Sequence, residues 1–311
     1  MGEREGIVIK STGSWYLVRT SEGETLQCRI RGRLRMDELK STNPVAVGDK
    51  VRFVDDTMAG QGVIEEIQER KNYIIRRSTN LSKQSQILAA NIDQAILVVT
   101  INYPVTTLVF IDRFLASAEA YRIPVTIVFN KIDRYDKKHL VELENIKLLY
   151  ESIGYNTISL SAKKQEDISA FADLLRDKVS MIAGHSGVGK STLINRIEPT
   201  LNLKTAEIST AHHTGKHTTT FAEMHALNIG GYIIDTPGIR GFGLFNVDKE
   251  ELHHYFREMF TLSSKCQFHN CTHKHEPGCA VKSALEEGTL AASRYNSYLS
   301  ILMEKEDKYR V

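Results

Sequence analysis

The sequence lacks the long apolar runs and the cysteine framework that are typical of membrane or secreted proteins. No hydrophobic stretch approaches the roughly 18 residues that a transmembrane helix needs, and the N-terminal MGEREGIVIK has no signal-peptide core. Four cysteines in 311 residues do not make a disulfide scaffold. Because three of them cluster late in the chain with histidines, we predict a metal site in a cytoplasmic protein without membrane association.

The chain also has little excess charge of either sign. It carries 40 Lys and Arg against 38 Asp and Glu, a net charge of +2. This balance does not by itself indicate nucleic-acid binding, although a sum can hide local patches. Hydrophobic residues make up 41% and charged residues 25% of the chain, which excludes wholesale disorder. Since one domain takes on the order of 100–200 residues, the length predicts two or three domains.

Residues 1–72 have the pattern of a small β-barrel. Short alternating apolar runs at 6–9, 15–18 and 51–54 are separated by glycine-containing turns, as in barrels of short strands. The segment CRIRGRLR then brings four arginines together, namely Arg29, Arg31, Arg33 and Arg35. Such a stretch fits a phosphate-contacting strand and loop, and it fits a solvated barrel face equally well.

Residues 73–246 predict a doubly wound α/β domain. The runs at 92–99 and 124–129 are nearly continuous in β-branched and apolar residues, as buried parallel strands are. Helices are predicted between them, at 108–121 and 140–153. The strand pattern then stops. For a third domain, 247–311, we predict an amphipathic helix at 249–262, a Cys/His cluster, and a closing helix from 283 to about 308.

The segment GHSGVGKS fits the phosphate-loop pattern G-x-x-x-x-G-K-[ST]. A predicted strand at 179–183 precedes it and a predicted helix at 191–197 follows, which is the context that the motif requires. Its glycines allow backbone N–H groups to surround phosphates at a helix N-terminus. Lys190, also a predicted catalytic residue, is expected to reach the β- and γ-phosphates, and Ser191 to bind Mg²⁺. The predicted phosphate-binding residues are Gly184, His185, Ser186, Gly187, Val188, Gly189, Lys190, Ser191 and Thr192.

Two further segments indicate that the base is guanine. NKID at 130–133 ends a predicted strand, and its aspartate would accept hydrogen bonds from the guanine ring N–H and amino group. SAK follows another predicted strand, at 157–160, and resembles the loop that lies behind the base. Each segment alone is a weak signal, but together they favour guanine over adenine. The predicted base-binding residues are Asn130, Lys131, Asp133, Ser161, Ala162 and Lys163.

A fourth segment, DTPG at 235–238, follows the apolar strand predicted at 232–234. Asp235 can hold Mg²⁺ through water, and the N–H of Gly238 can contact the γ-phosphate. The order of the segments is unusual, because NKID and SAK precede the phosphate loop. A circular permutation explains this order, since chain termini in such domains lie close together. The segment after Asp235 then leads directly into the C-terminal region, so it can carry the state of the γ-phosphate there.

The late cysteines form the pattern Cys266-x4-Cys271-x-His273-x5-Cys279. Three thiolates and one imidazole make a tetrahedral set that Zn²⁺ favours, and a fully ligated site of this kind is structural. The additional histidines at 269 and 275 leave the identity of the histidine ligand open. Cys28 is remote from the cluster and is expected in the core or at the surface.

With its permuted NKID–SAK–GHSGVGKS–DTPG core, N-terminal barrel and Cys/His cluster, the chain resembles the bacterial ribosome small subunit-dependent GTPase A family over nearly its whole length. The resemblance implies an OB-fold barrel, a circularly permuted GTPase domain with GTP/GDP and Mg²⁺, and a zinc-binding domain. It implies action late in small-subunit maturation, with the small ribosomal subunit and its rRNA as partners. It also favours His273 as the fourth zinc ligand. We predict a monomer.

The segment 214–220 carries the candidate switch. One of the threonines at 218–220 is expected to bind Mg²⁺, and the resemblance favours Thr219. Ile239 stands after Gly238, where Ras-like enzymes have a water-orienting glutamine. Intrinsic turnover is therefore predicted to be slow, with His217 as the candidate catalytic histidine; a packing or rRNA-contact role for His217 stays open.

Of two alternative functions, the first stays open on the sequence and the second does not. One is a nucleotide-gated rRNA-binding module with negligible hydrolysis, in which Ile239 reflects lost catalysis. The other is an unrelated metabolic ATPase or kinase, which conflicts with the NKID segment.

Overall fold

The computed structural model describes residues 3–32, 44–56, 61–77, 85–203, 222–235 and 248–304. The strands are β1 (Glu3–Ser11), β2 (Tyr16–Thr20), β3 (Thr25–Ile30), β4 (Lys50–Asp56), β5 (Gln61–Ile67), β6 (Tyr73–Arg77), β7 (Ser85–Ala90), β8 (Gln94–Val99), β9 (Val125–Phe129), β10 (Asn156–Ser159), β11 (Val179–Ala183), β12 (Glu223–Ala226) and β13 (Tyr232–Asp235). The α-helices are α1 (Leu108–Ala120), α2 (Lys137–Ser152), α3 (Gln165–Leu175), α4 (Lys190–Ile197), α5 (Arg257–Ser263), α6 (Ala280–Glu286) and α7 (Ala292–Met303). Among the helices described, none combines the length and apolarity needed to cross a membrane.

The first five strands form the predicted N-terminal barrel. Their order is β1-β2-β3-β5-β4, and β4 pairs back to β1. Alternate residues face the interior, so Tyr16 and Val18 of β2 are buried while Leu17 between them is partly exposed. The buried core consists of Val8, Tyr16, Val18, Cys28, Val45, Val51, Phe53 and Ile64. Cys28 is therefore a core residue of the barrel.

The predicted α/β sheet is also present. Strands β10-β9-β8-β11-β13 run parallel, and β12 lies antiparallel beside β13. All residues of β8 and β9 are buried, as expected for strands covered on both faces. Alternate residues of β8 enter opposite cores: Leu97 joins one apolar cluster and Ile96 the other. The carboxyl ends of β9, β10, β11 and β13 carry the four predicted nucleotide-binding segments.

The predicted helices of this region correspond to α1 and α2. Helix α2 begins earlier than predicted, at Lys137, because the Asp136 side chain accepts a hydrogen bond from the His139 N–H at 2.9 Å. A carboxylate in this position satisfies an N–H group that has no partner within the helix.

The barrel and the α/β sheet join in a way that the sequence did not indicate. Strand β1 pairs with β12 as well as with its barrel neighbours, so the two sheets form one continuous eleven-stranded sheet. The hairpin β6–β7 lies outside this sheet and links the two regions. Near it, the Asn72 side-chain amide pairs with both the N–H and the C=O of Ile92 at 2.8 Å.

Two helix predictions in the C-terminal region were wrong. The single helix predicted at 249–262 is a 3₁₀-helix, Lys249–Tyr255, followed by α5, and the break falls at the extended residue Phe256. The closing helix predicted from 283 to about 308 is two helices, α6 and α7, with Gly288 between them at φ 74°. Tertiary packing explains the first break, because the Phe256 ring is fully buried against Arg294 and Tyr298.

The C-terminal region packs on helix α1 of the α/β domain. Asp112 of α1 forms an ion pair with Arg294 of α7 at 2.6 Å, and both side chains are 1% exposed. Glu258 of α5 also pairs with Arg294 at 2.6 Å, and the Tyr150 hydroxyl donates to Asp112 at 2.8 Å. Charges buried this deeply persist only when paired and hydrogen-bonded. Arg294 therefore links α1, α5 and α7 at this interface.

Candidate guanine-nucleotide site and metal centre

The phosphate loop runs from the end of β11 to the start of α4, and its glycines are required by close backbone approaches. Gly184 has φ 139° and Gly189 has φ 101°, conformations that favour glycine. A Cβ atom on Gly184 would lie 2.1 Å from the Val98 carbonyl oxygen, and one on Gly189 would lie 2.4 Å from Asn130 Nδ2. The loop is therefore packed directly against β8 and the NKID segment.

Lys190 lies inside the curve of this loop. Its Nζ donates to the carbonyl oxygens of Gly184 and His185 at 2.7 and 2.6 Å. Ser191 follows in the first turn of α4 and is 5% exposed. Of the other predicted loop residues, Val188 is buried and His185, Ser186, Gly187 and Thr192 are exposed. An ammonium group and a hydroxyl at a helix N-terminus suit the binding of phosphates and Mg²⁺.

The NKID segment is joined to the phosphate loop by direct hydrogen bonds. The buried Asn130 amide donates from Nδ2 to the Val188 carbonyl oxygen at 2.8 Å. Lys131 Nζ donates to the Gly187 carbonyl oxygen at 2.5 Å. The base-binding and phosphate-binding segments, separated by more than fifty residues in the chain, therefore form one site.

Asp133 and the SAK segment meet on the other side of this site. Ser161 Oγ donates to Asp133 Oδ1 at 2.7 Å, and Lys163 Nζ lies 2.7 Å from Asp133 Oδ2. The hydrogen bond from Lys163 holds the pKa of Asp133 below its ordinary value, and Ser161 acts in the same direction. Asp133 is thus ionised at neutral pH and suited to accept two N–H bonds from guanine. Ala162, which lies between Ser161 and Lys163, is partly buried and packs against the apolar core that includes Ile168 and Phe171 of α3.

Several predicted residues lie outside the described part of the chain. These are His217, Thr218, Thr219, Thr220, Gly238 and Ile239, together with Arg33 and Arg35 of the barrel. Asp235 is the last residue of β13, whose parallel partner β11 leads into the phosphate loop. The backbone of Asp235 therefore ends at the same edge of the sheet as the loop.

Four contacts of the site were not found from the sequence. The Tyr103 carbonyl oxygen accepts from Lys131 Nζ at 2.8 Å. The Phe110 ring of α1 stacks on His185, with centroids 3.8 Å apart. Partial desolvation of the His185 ring, followed by the charge of Lys190, lowers its pKa, so this ring is neutral at pH 7. The Tyr135 hydroxyl donates to the Asn130 carbonyl oxygen at 2.9 Å, and Asp167 accepts from the Ser161 N–H at 2.6 Å.

Of these residues, only Asp167 could have been predicted from the sequence, because it is an acidic residue in the first turn of the helix that follows SAK. The others join residues with no characteristic spacing.

The four predicted metal ligands come together in one cluster. The ligand atoms of Cys266, Cys271, His273 and Cys279 all lie within 4.8 Å of one another. His273 Nδ1 is 3.4 Å from Cys279 Sγ and 3.7 Å from Cys266 Sγ, so Nδ1 faces the sulfur atoms. His273 is fully buried. The donor set and its geometry are compatible with a zinc ion.

The chain around the cluster is held by hydrogen bonds that the sequence did not predict. The Glu276 carboxylate accepts from the N–H groups of Thr272, Lys274 and His275, and from the Thr272 hydroxyl. These bonds lower the pKa of Glu276 to about 2 despite its desolvation. The Tyr295 hydroxyl donates to the His273 carbonyl oxygen at 2.7 Å. The loop is thus shaped independently of the ligands themselves.

The competing histidines lie elsewhere. His269 and His275 are both exposed and do not belong to the cluster. The thiols of Cys271 and Cys279 have pKa values raised by burial. A metal ion bound among these thiols would offset this effect, since a nearby cation favours the thiolate.

Comparison with known proteins agrees with this geometry. The family model described as "RsgA GTPase" matches residues 67–245, and the one described as "RsgA N-terminal domain" matches residues 5–64. The small ribosomal subunit biogenesis GTPase RsgA of Bacteroides fragilis is 56% identical over 307 residues, covering 98% of this chain and 99% of that protein. Its counterpart in Christiangramia forsetii is 53% identical over 309 residues, with 99% and 98% covered.

Two solved structures are similar over the whole chain. The crystal structure of YjeQ from Thermotoga maritima has a TM-score of 0.78 and 36% identity, covering 98% of this chain and 100% of that one. The structure of YloQ, described as a circularly permuted GTPase, has a TM-score of 0.75 and 30% identity, covering 97% and 94%. The resemblance drawn from the sequence motifs is confirmed, and the chain belongs to the RsgA GTPase family.

Proposed function

We propose that the protein hydrolyses GTP to GDP on the small ribosomal subunit and acts in late maturation of that subunit. The observation that carries the nucleotide part is the ionised Asp133 held by Ser161 and Lys163 beside the phosphate loop. The ribosomal part is supported by the names of relatives that match nearly the full chain.

In this proposal the chain binds GTP with two sets of groups. Asp133 accepts from the guanine N–H groups, while Asn130 and Lys131 hold the base-binding segment against the phosphate loop. On nucleotide binding, the Lys190 ammonium exchanges its carbonyl partners for phosphate oxygens. Ser191, with Asp235 and Thr219, would hold Mg²⁺. When bound, Mg²⁺ neutralises charge on the β- and γ-phosphates.

We assign hydrolysis to Lys190, which stabilises negative charge on the transferring group, and to His217 as the residue that positions or deprotonates water. Ile239 cannot orient water, so slow intrinsic turnover and stimulation by the subunit form part of the proposal. The N–H of Gly238 would contact the γ-phosphate.

The Cys266, Cys271, His273 and Cys279 cluster is proposed as a structural zinc site. Four protein ligands leave no open position for substrate. A metal ion bound by these four residues would link the loop to the apolar cluster that α5, α6 and α7 form with the buried Phe256.

We propose that the barrel contacts rRNA near Trp15. The Arg29 guanidinium lies over the Trp15 ring, 3.9 Å from its centroid, and Arg29 is exposed. Arg31, in contrast, is paired with Glu65 at 2.5 Å. An arginine stacked on an aromatic ring is a platform on which an unpaired base stacks. This favours Arg29 over Arg31 as the RNA-contacting arginine.

The remaining parts of the proposal concern organisation. We divide the chain into a barrel at 1–72, a permuted GTPase domain at 73–246 and a zinc-binding domain at 247–311. We further propose that the protein is a cytoplasmic monomer.

The test is steady-state GTP hydrolysis with and without purified small subunits, with ATP as the control nucleotide. Strong stimulation by the small subunit with no ATP turnover supports the proposal. A slow rate that is the same in both conditions would instead favour a nucleotide-gated RNA-binding module.

The barrel contact is tested by Trp15→Ala and Arg29→Gln, which are expected to weaken subunit binding by roughly tenfold. Arg31→Gln is the matched control and should have a smaller effect. Equal effects of the two arginine variants would contradict the assignment.

A further inference from the structure

The continuous sheet places three charged residues of adjacent strands in one row. Lys10 of β1 pairs with Glu223 of β12, and Glu223 pairs with Asp235 of β13. Lys10 Nζ also donates to Glu223 Oε2 at 3.1 Å, with the two side chains 43% and 42% exposed. The barrel therefore lies two strands away from the predicted Mg²⁺ residue.

Strand β1 is attached firmly on its α/β side. Ile7 and Ile9 pack against the apolar core of the α/β domain, which includes Met224 of β12. The pairing of β1 with β2 shifts register between Val8 and Lys10. An irregularity of this kind bends a strand and redirects its side chains. The bend lies where β1 leaves its pairing with β4 and reaches β12.

The same strand ends at the proposed RNA contact. A turn joins β1 to β2, with the Thr12 N–H donating to the Trp15 carbonyl oxygen at 2.9 Å. Trp15 therefore lies only five residues beyond Lys10 in the chain. A displacement of this hairpin end by a bound partner would act on β1 next to Glu223.

We propose that Lys10 and Glu223 are positioning residues for GTP hydrolysis, which transmit the position of the barrel through the row Lys10–Glu223–Asp235 to the magnesium side of the nucleotide site. The inference rests on the proposed function for the identity of the partner that moves the barrel. The effect on Asp235 itself requires only the sheet pairing.

The experiment compares Lys10→Glu, Glu223→Lys and the double variant in which both charges are exchanged. The matched control is Lys71→Glu. Lys71 precedes the hairpin β6–β7, and its Nζ lies 2.5 Å from Oδ1 of Asp93 in the α/β domain. The two side chains are 54% and 37% exposed, respectively. The hydrogen bonds of Lys71 go to Asn91 and Asp93, which lie outside β12 and β13. Two quantities are measured: kcat and KM for GTP with and without small subunits, and the ratio of the GDP Kd without Mg²⁺ to that with Mg²⁺.

Each single reversal is expected to lower kcat about threefold to tenfold, the range for an exposed ion pair turned into a repulsion. The Mg²⁺ ratio should fall in parallel, with KM for GTP changed less than kcat. The exchanged double variant should recover both quantities, and Lys71→Glu should change neither. The proposal is overturned if the single variants leave kcat and the Mg²⁺ ratio unchanged, if Lys71→Glu lowers them equally, or if the double variant does not recover.

Failure of the proposed function gives a different result. A wild-type rate that subunits do not stimulate would contradict the ribosomal role. The intrinsic kcat and the Mg²⁺ ratio would still report on the Lys10–Glu223 pair.

Discussion

The nucleotide site and the metal cluster are built in opposite ways. The nucleotide site joins segments that are far apart in the chain, since Asn130 reaches Val188 and Ser161 reaches Asp133. The metal cluster draws all four side chains from fourteen consecutive residues, Cys266 to Cys279. The nucleotide site forms only when the parallel strands pack side by side, whereas the residues of the metal cluster all lie in one loop.

The two sites therefore depend on different interactions. The nucleotide site lies on buried strands, so the hydrophobic core positions it before any ligand binds. The cluster gathers the buried thiols of Cys271 and Cys279, the partly buried thiol of Cys266 and the buried imidazole of His273, so a metal ion bound there would contribute to the fold itself. Perturbing the cluster should therefore change stability, while perturbing the nucleotide site should change specificity.

The largest effect is expected from His273→Ala. Removal of the buried ligand should release zinc, whose binding in structural sites is worth about 10–16 kcal/mol. The region from residue 248 onward should then become sensitive to protease, while GDP affinity is retained. Zinc content, limited proteolysis and GDP titration measure the three quantities.

The control for this variant is His275→Ala, two residues away and exposed, which should keep its zinc. Equal zinc loss in both variants would contradict the assignment of the ligand.

A large change in specificity is expected from Asp133→Asn. The amide cannot accept from both guanine N–H groups, so GTP should bind about 100-fold more weakly, and preference should move toward xanthine nucleotides. Competition binding with GTP, XTP and ATP measures this. Asp136→Asn, three residues on, preserves a helix cap and is expected to leave selectivity unchanged. Unaltered GTP selectivity in Asp133→Asn would remove the base-recognition assignment.

Arg294→Met tests whether the two regions unfold together. It leaves Asp112 and Glu258 without their buried cation, which should lower the free energy of unfolding by about 3–5 kcal/mol. Arg257→Met breaks a more exposed pair with Glu119, and its ion-pair contribution should be below about 1 kcal/mol. Thermal unfolding followed by both zinc release and GDP binding separates the two regions. If the two variants had the same melting temperature, the buried pair would not hold the interface.

The smallest effect is expected for pH. The pKa of Asp133 lies below its ordinary value of 3.8, mainly because Lys163 donates to it. Its contribution is therefore fully present above pH 3.8 and is lost only as the pH falls through the lower folded value. The ratio of IDP Kd to GDP Kd, which reports the guanine amino group, should stay within about twofold from pH 5.5 to 8. A ratio that declines below pH 7 would mean that the carboxyl protonates near neutrality.

Motif residues of both sites could be predicted because their chemistry requires fixed local spacings. The phosphate loop needs glycine at Gly184 and Gly189 for backbone approach, and the cluster needs cysteines close together. Residues that act through packing left no such pattern. The Phe110 ring on His185 and the Tyr103 carbonyl oxygen on Lys131 are contacts between segments that are distant in the chain.

The wrong helix prediction at 249–262 has its origin in tertiary packing. Helical periodicity at 249–262 is a local property, but the fully buried position of Phe256 depends on Arg294 of α7, which lies 38 residues later in the chain. Local preference is weaker than the burial of a large aromatic ring, so the helix is interrupted.

The sequence by itself therefore determined the chemistry: a guanine-binding phosphate-loop domain of permuted order, an N-terminal barrel and a Cys₃His cluster. Each of these features depends on particular residue types at short spacings, and such spacings can be recognised in the sequence alone. Only the tertiary structure decided that β1 continues the barrel into the α/β sheet at β12, and that Arg294 fastens the C-terminal region to α1. Those contacts join residues more than 180 positions apart, and only packing of the whole chain brings such residues together.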